Sequence, residues 1–164
     1  SSNMTDEIGS LTILIRHGKV TKETHHFYEK WKYYSTVIDK WFSIQSTFTS
    51  PSSSVRIVSN LSKHSAFNMK NPNRFNSVIG TFASNNFLGF HQQDGKGYKL
   101  VTDWLIKLDK INPQTTARVC KAFENWKLFD LKRQLKISEN LTRLSQIPNI
   151  SKNTYEVVNT MLKK

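Results

Sequence analysis

Apolar residues recur at spacings of three and four along almost the whole chain, and strict alternation never lasts long enough to define a strand. This pattern predicts an all-α protein with short connections. Thr5 is a cap candidate for a helix over about 6–16, with Asp6 and Glu7 in its first turn and Gly18 just past its end. Thr21 can cap a second helix over about 22–34, with Phe27, Trp31 and Tyr34 on one stripe. Ser35 can open a third over about 36–48, carrying Val37, Ile38, Trp41, Phe42, Gln45 and Phe48. Pro51 to Ser54 reads as a turn leading into a helix to about 63. Asn71-Pro72 is a strong start signal, because Asn caps and Pro fills the first helical position, where no N–H is needed. That helix is expected to run to about 85. DGKGY at 94–98 reads as a loop whose glycines take positive φ, followed by a helix from Tyr98 to Leu108. Asn112-Pro113 repeats the start signal for a helix to about 127, and two more follow over about 130–146 and after a cap at Ser151. The expected total is about nine helices.

The two Asn-Pro signals lie 41 residues apart. With that shift Val78 meets Val119, Ile79 meets Cys120 and Phe82 meets Phe123, and one period earlier stand Val37, Ile38 and Trp41. A period near 40 residues built of helix pairs predicts a right-handed α-α superhelix of stacked antiparallel pairs, HEAT- or armadillo-like.

The length of 164 residues suits one domain with a substantial core. No apolar run approaches a membrane span; the longest, Leu11 to Ile15, is followed by Arg16 and His17. The start lacks a signal-peptide pattern, and a single cysteine excludes an internal disulfide, so a reducing, cytoplasmic location is expected. The chain opens on Ser1 rather than Met, and is expected to be a piece cut from a longer polypeptide. The formal charge of +12 comes from 18 lysines and 6 arginines scattered along the chain. Clustered charge led by arginine would point to nucleic acid; scattered lysine reads first as solvated faces, with an acidic partner or neighbouring domain next.

Enzyme motifs are missing. HExxH and G-x-S-x-G do not occur, and GKG at 95–97 lacks the spacing of a phosphate loop. His25 and Glu29 are four apart, but two groups make no zinc site without a third. Cys120 falls on an apolar stripe and reads as a buried, inert thiol. The most suggestive stretch is NPQTTAR at 112–118. Gln114 and Arg118, four apart, project from one face near a helix start, while Thr116, Val119, Cys120 and Phe123 point to the core. An amide and a guanidinium in one place can hold a carboxylate or a peptide carbonyl. An exposed polar helix face is the plain alternative.

These residues also carry a resemblance. NMTD at 3–6, FYEKW at 27–31, DKWF-x-x-Q at 39–45, NPNR at 71–74, FH-x-x-DG-x-GY at 90–98, LD-x-x-NPQ-x-x-x-R at 108–118 and D-x-x-R at 130–133 stand in order along the chain. Together they resemble the C-terminal domain of bacterial-type aminopeptidase N enzymes, of the M1 family of zinc metallopeptidases, over essentially all 164 residues. The resemblance implies a helical superhelix that closes over an active site, walls an internal cavity and limits which peptides enter. It implies that residues 1–164 are the C-terminal part of that domain, with no catalytic residue, metal ligand or cofactor of their own. The one zinc, its HExxH and distant glutamate, and the segment that binds the substrate amino group would lie upstream.

By the same resemblance, Gln114 and Arg118 face the cavity on the side that receives residues after the scissile bond, and Arg74 is a third substrate-binding candidate. Relatives often carry a second basic residue two positions later, where this chain has Asn76. The implied partners are the upstream catalytic domains and peptide substrates, without membrane or nucleic acid. If Ser1 falls inside the superhelix, the helix near 6–16 is expected to be frayed, swapped or packed on another copy through its apolar face. The competing reading is a free-standing helical-repeat binding module with a basic surface for a protein or nucleic acid.

Overall fold

The computed structural model describes residues 2–19 and 21–163, and all regular structure among them is helical. The helices are α1 (Ser2–Arg16), α2 (Thr21–Trp31), α3 (Ser35–Phe48), α4 (Pro51–Ser62), α5 (residues 72–85), α6 (Phe87–Phe90), α7 (Lys96–Leu108), α8 (Pro113–Cys120), α9 (Leu131–Ser145) and α10 (Lys152–Lys163). Nine of these describe the expected set; the short α6 is additional. It is capped by Asn86, whose Oδ1 accepts from the Gly89 N–H at 3.0 Å.

The Asn-Pro signals act as expected. Asn71 Oδ1 accepts from the Arg74 N–H at 3.2 Å, and Asn112 Oδ1 from the Thr115 N–H at 3.0 Å. Gly18 closes α1 at φ 72°, with its own N–H bonded to Ile15 O and that of Lys19 to Leu14 O. Ser151 Oγ accepts from the Thr154 N–H at 3.2 Å and caps α10.

Several boundaries move. α1 begins at Ser2, so Thr5 lies inside it rather than at its cap, and α1 is a formed helix buried on α3 through Leu11 and Ile15. The expected cap at Thr21 falls on a side chain outside the described residues. α2 ends at Trp31, which leaves Tyr34 exposed as the residue before α3. α4 starts at Pro51 itself, and α7 starts at Lys96, two residues before Tyr98. Only Gly95 of the DGKG loop has positive φ, at 72°. Gly97 serves a close approach instead, since a Cβ there would sit 2.5 Å from the Phe90 carbonyl oxygen. α8 stops at Cys120 and gives way to two 3₁₀ turns, Lys121–Phe123 and Trp126–Leu128.

α5 is not a plain α-helix. Residues Asn76–Gly80 form a π turn, in which the Thr81 N–H and Oγ1 both donate to Asn76 O. Asn76 lies over Gly80, where an added Cβ would come within 2.0 Å of its Oδ1.

Two layers result. α1, α3 and α5 lie side by side, continued by α8 and α10; α4, α7 and α9 form the other layer, with α2 packed on α1 and α3. One hydrophobic cluster runs between them from Leu11 to Met161, and Val78, Ile79, Phe82, Val119, Cys120 and Phe123 all belong to it. Polar bonds also join one repeat to the next. Asn86 Nδ2 donates to Ser46 O, Arg133 Nε to His91 O, and Arg143 Nη2 to Asp103 Oδ1, across 40, 42 and 40 residues. Buried Asp109 accepts from Ser151 N–H, Ser151 Oγ and Thr154 Oγ1 at 2.8, 2.6 and 2.6 Å, and so ties the last helix to the preceding repeat.

Candidate functional site

The first layer opens between α5 and α8. A groove of about 540 Å³ lies there, lined by Asn76, Gly80, Ala83 and Ser84 of α5, Arg118 and Val119 of α8, and Lys121, Glu124, Phe87, His91 and Phe129 around them. The π turn supplies two of its wall positions.

Arg118 is exposed on this wall and makes no hydrogen bond, ion pair or ring contact among the described residues. The cap at Asn112 and the buried stripe Thr115, Thr116, Val119 and Cys120 fix the helix that carries it. Burial pushes the Cys120 thiol up to about 12, which keeps it protonated and inert. Gln114, one turn before Arg118, is also exposed and unbonded among the described residues, but it does not line the groove. Lys121 adds a second cation and Glu124 an acid, so the lining is modestly positive.

Arg74 is placed differently. It is buried, and its Nε donates to Asp39 Oδ1 at 2.6 Å. Its Nη1 donates to Ala66 O, and its Nη2 to Ser35 O at 3.4 Å and Ser35 Oγ at 3.2 Å. The guanidinium also sits 5.6 Å from the centre of the Phe42 ring. It ties α3, α5 and the loop after α4 together, and it does not line the groove of Arg118.

One end of the groove is a fixed aromatic corner. The His91 ring stacks on Phe129 at 4.3 Å, and its Nδ1 shares a hydrogen bond of 2.7 Å with the Tyr98 hydroxyl. Burial, helped by Arg133, lowers His91 to about 4, and burial raises Tyr98 to about 12. His91 is therefore a neutral wall at ordinary pH. Asp130 caps α9 and pairs with Arg133 at 2.7 Å, and that hydrogen bond holds its carboxyl below the usual range. The loop motif DG-x-GY thus acts through Asp94, which accepts from the Lys96 N–H, and through Tyr98, which holds His91.

Sequence reasoning missed the π turn and α6, which bring Asn76, Gly80 and Phe87 to the groove; a single Gly inside an apolar helix was the only signal. Among the described residues no three His, Cys, Asp or Glu side chains converge to hold a metal ion. None of the helices is long and apolar enough to cross a membrane among the described residues.

A family model described as "Domain of unknown function (DUF3458_C) ARM repeats" matches residues 1–163. The chain is 36% identical to aminopeptidase N of Haemophilus influenzae, across 99% of this chain and 19% of that protein. It is 34% identical to aminopeptidase N of Escherichia coli, again across 99% of this chain and 19% of the other. The crystal structure of Legionella pneumophila aminopeptidase A in complex with aspartic acid superposes with a TM-score of 0.80 and 31% identity, covering 86% of this chain and 16% of that one. The chain thus spans about a fifth of the length of the curated relatives it matches.

Proposed function

The chain belongs to this family of ARM-repeat domains, and from that premise we propose that it is the non-catalytic, cavity-walling C-terminal domain of a zinc-dependent M1 aminopeptidase. Its relatives named aminopeptidase N and its helical-repeat fold support the assignment to an aminopeptidase. In this reading the zinc and the groups that activate its water sit in cytoplasmic catalytic domains upstream. This chain supplies the wall opposite them and limits which peptides enter.

The observation that carries the reading is the free guanidinium of Arg118 on a groove wall. A guanidinium in a partly dry groove pairs with a peptide carboxylate or carbonyl in forked geometry. Gln114, one turn away, would hold the peptide backbone further along. Arg74, a third candidate by resemblance, would serve by fixing α5 beside the groove, because its donors are already committed within the domain.

Such contacts bind substrate and transition state alike, so their loss raises KM and spares kcat. In the full enzyme, Arg118→Ala is expected to raise KM for peptides about 10-fold with kcat little changed. A fall in kcat at constant KM would refute the binding role. The 164-residue chain alone is expected to release no product from an aminoacyl p-nitroanilide, and turnover by it would refute the division of labour.

A further inference from the structure

The second layer has an opening of its own, between α2 and α4. It measures about 540 Å³ and is floored by Trp41 and Gln45 of α3 and by Thr49 just past its end. Ser53, Arg56, Ile57, Asn60, Leu61 and His64 line it from the α4 side, at the three- and four-residue spacing of one helix face. None of these residues lines the groove of Arg118.

The arginines make this opening distinctive. Of the six in the chain, Arg74, Arg133 and Arg143 hold acids, and Arg16 lies 4.3 Å over the Phe48 ring. Only Arg56 and Arg118 have no partner among the described residues, and each lines one of the two grooves. Arg56 is exposed, and Asn60, four residues on, also leaves its side-chain amide unbonded. Among the described residues no Asp or Glu lines the groove, so none of them neutralises the guanidinium there.

From Tyr28 of α2 across the Trp41 floor to His64, the groove is aromatic and fixed. Trp41 Nε1 donates to Thr24 O at 2.9 Å, which holds the indole in place. Tyr28 packs on Trp41 at 5.0 Å and edge-on to His64 at 4.6 Å. The Ala66 N–H donates to His64 Nδ1 at 3.0 Å, so the neutral ring carries its proton on Nε2. Burial, with Arg74 and His25 nearby, lowers the His64 pKa and keeps it neutral.

We propose that this groove is a second binding site, for a carboxylate carried on a flat apolar body. Arg56 and Asn60 take the carboxylate, and the apolar part lies against Tyr28, Trp41 and His64. The volume falls in the range of about 300–1,000 Å³ typical of small-molecule sites. Two sources offer this chemistry, the C-terminal residue of a peptide and a free aromatic acid.

The test titrates the 164-residue chain with N-acetyl-phenylalanine, phenylacetate and N-acetyl-phenylalanine amide. Binding is followed by the Trp41 indole and His64 ring NMR signals. The acids are expected to bind with millimolar affinity or better and to shift both signals, and the tighter acid names the source. The uncharged amide is expected to bind at least about 10-fold more weakly, the loss of roughly 1.4 kcal/mol of charge-assisted bonding. Arg56→Gln, at an exposed position with an unchanged melting temperature, is expected to abolish the acid's shifts, whereas Arg118→Gln leaves them intact. Equal binding of the amide, retention of binding in Arg56→Gln, its loss in Arg118→Gln, or no shift with either acid would each overturn the proposal.

Discussion

The two Asn-Pro helix starts begin alike and diverge within one turn. At 71–74 and at 112–118, Asn caps through its Oδ1, Pro follows, and an arginine comes soon after. Arg74 falls on the core side of α5 and is consumed by Asp39, Ala66 O and Ser35. Arg118, three residues further into its own helix relative to Pro, falls on the outer side and makes no bond among the described residues. The phase of the residue on the helix, more than its type, decides whether a guanidinium fastens the fold or waits for a ligand.

The largest expected difference is in stability. Arg74→Ala leaves Asp39 partly buried without its cation and should cost about 3 kcal/mol. Arg118→Ala should stay within about 0.5 kcal/mol, as surface substitutions usually do. Urea denaturation of both variants decides, and equal losses would break the comparison.

Acid tests the two regions next. Folding holds the His91 pKa at about 4, below the ordinary 6.5. The unfolded chain therefore binds the proton first, and stability falls as pH drops from 6.5 toward 4. His91→Gln should lessen that slope of a melting-temperature profile, leaving the share of His64, and an unchanged slope would argue against a neutral, buried wall beside Arg118. His64, beside Arg74, is lowered in the same direction by burial and then by that guanidinium, so its protonation adds to the same fall.

A smaller effect sharpens the shared part. Asn71→Ala and Asn112→Ala should each cost about 1 kcal/mol, because each removes one cap bond of the same kind. A cost several times greater at one start would show that the caps, and not only the arginines, have diverged.

Much of this was legible in the sequence. The three- and four-residue spacing, the Asn-Pro pairs and Gly18 report local physics, and they placed most of the helices within a few residues. The 41-residue shift placed Val78 with Val119 and Phe82 with Phe123, and all four are buried. What stayed hidden is tertiary. Nothing local says that Arg74 meets Asp39 across 35 residues, since opposite charges at that distance have no fixed phase. The end of α8 at Cys120 and the π turn in α5 were equally hidden, because apolar spacing continues through both. The aromatic groove beside Arg56 escaped notice for another reason: its face mixes Ser, Arg, Ile and Asn and has no motif.

The widened turn at Asn76–Gly80 holds one residue more than a regular helix would. Deleting a single residue there would turn the bond from Thr81 N–H to Asn76 O into a regular one and restore standard winding, with the downstream stripe left nearly in phase. Phe82 would stay enclosed, but the wall facing Arg118 would lose its indentation. One extra amino acid is thus absorbed as a local swelling, letting a single rod keep its interior stripe in line at both ends and carry a concavity in its middle.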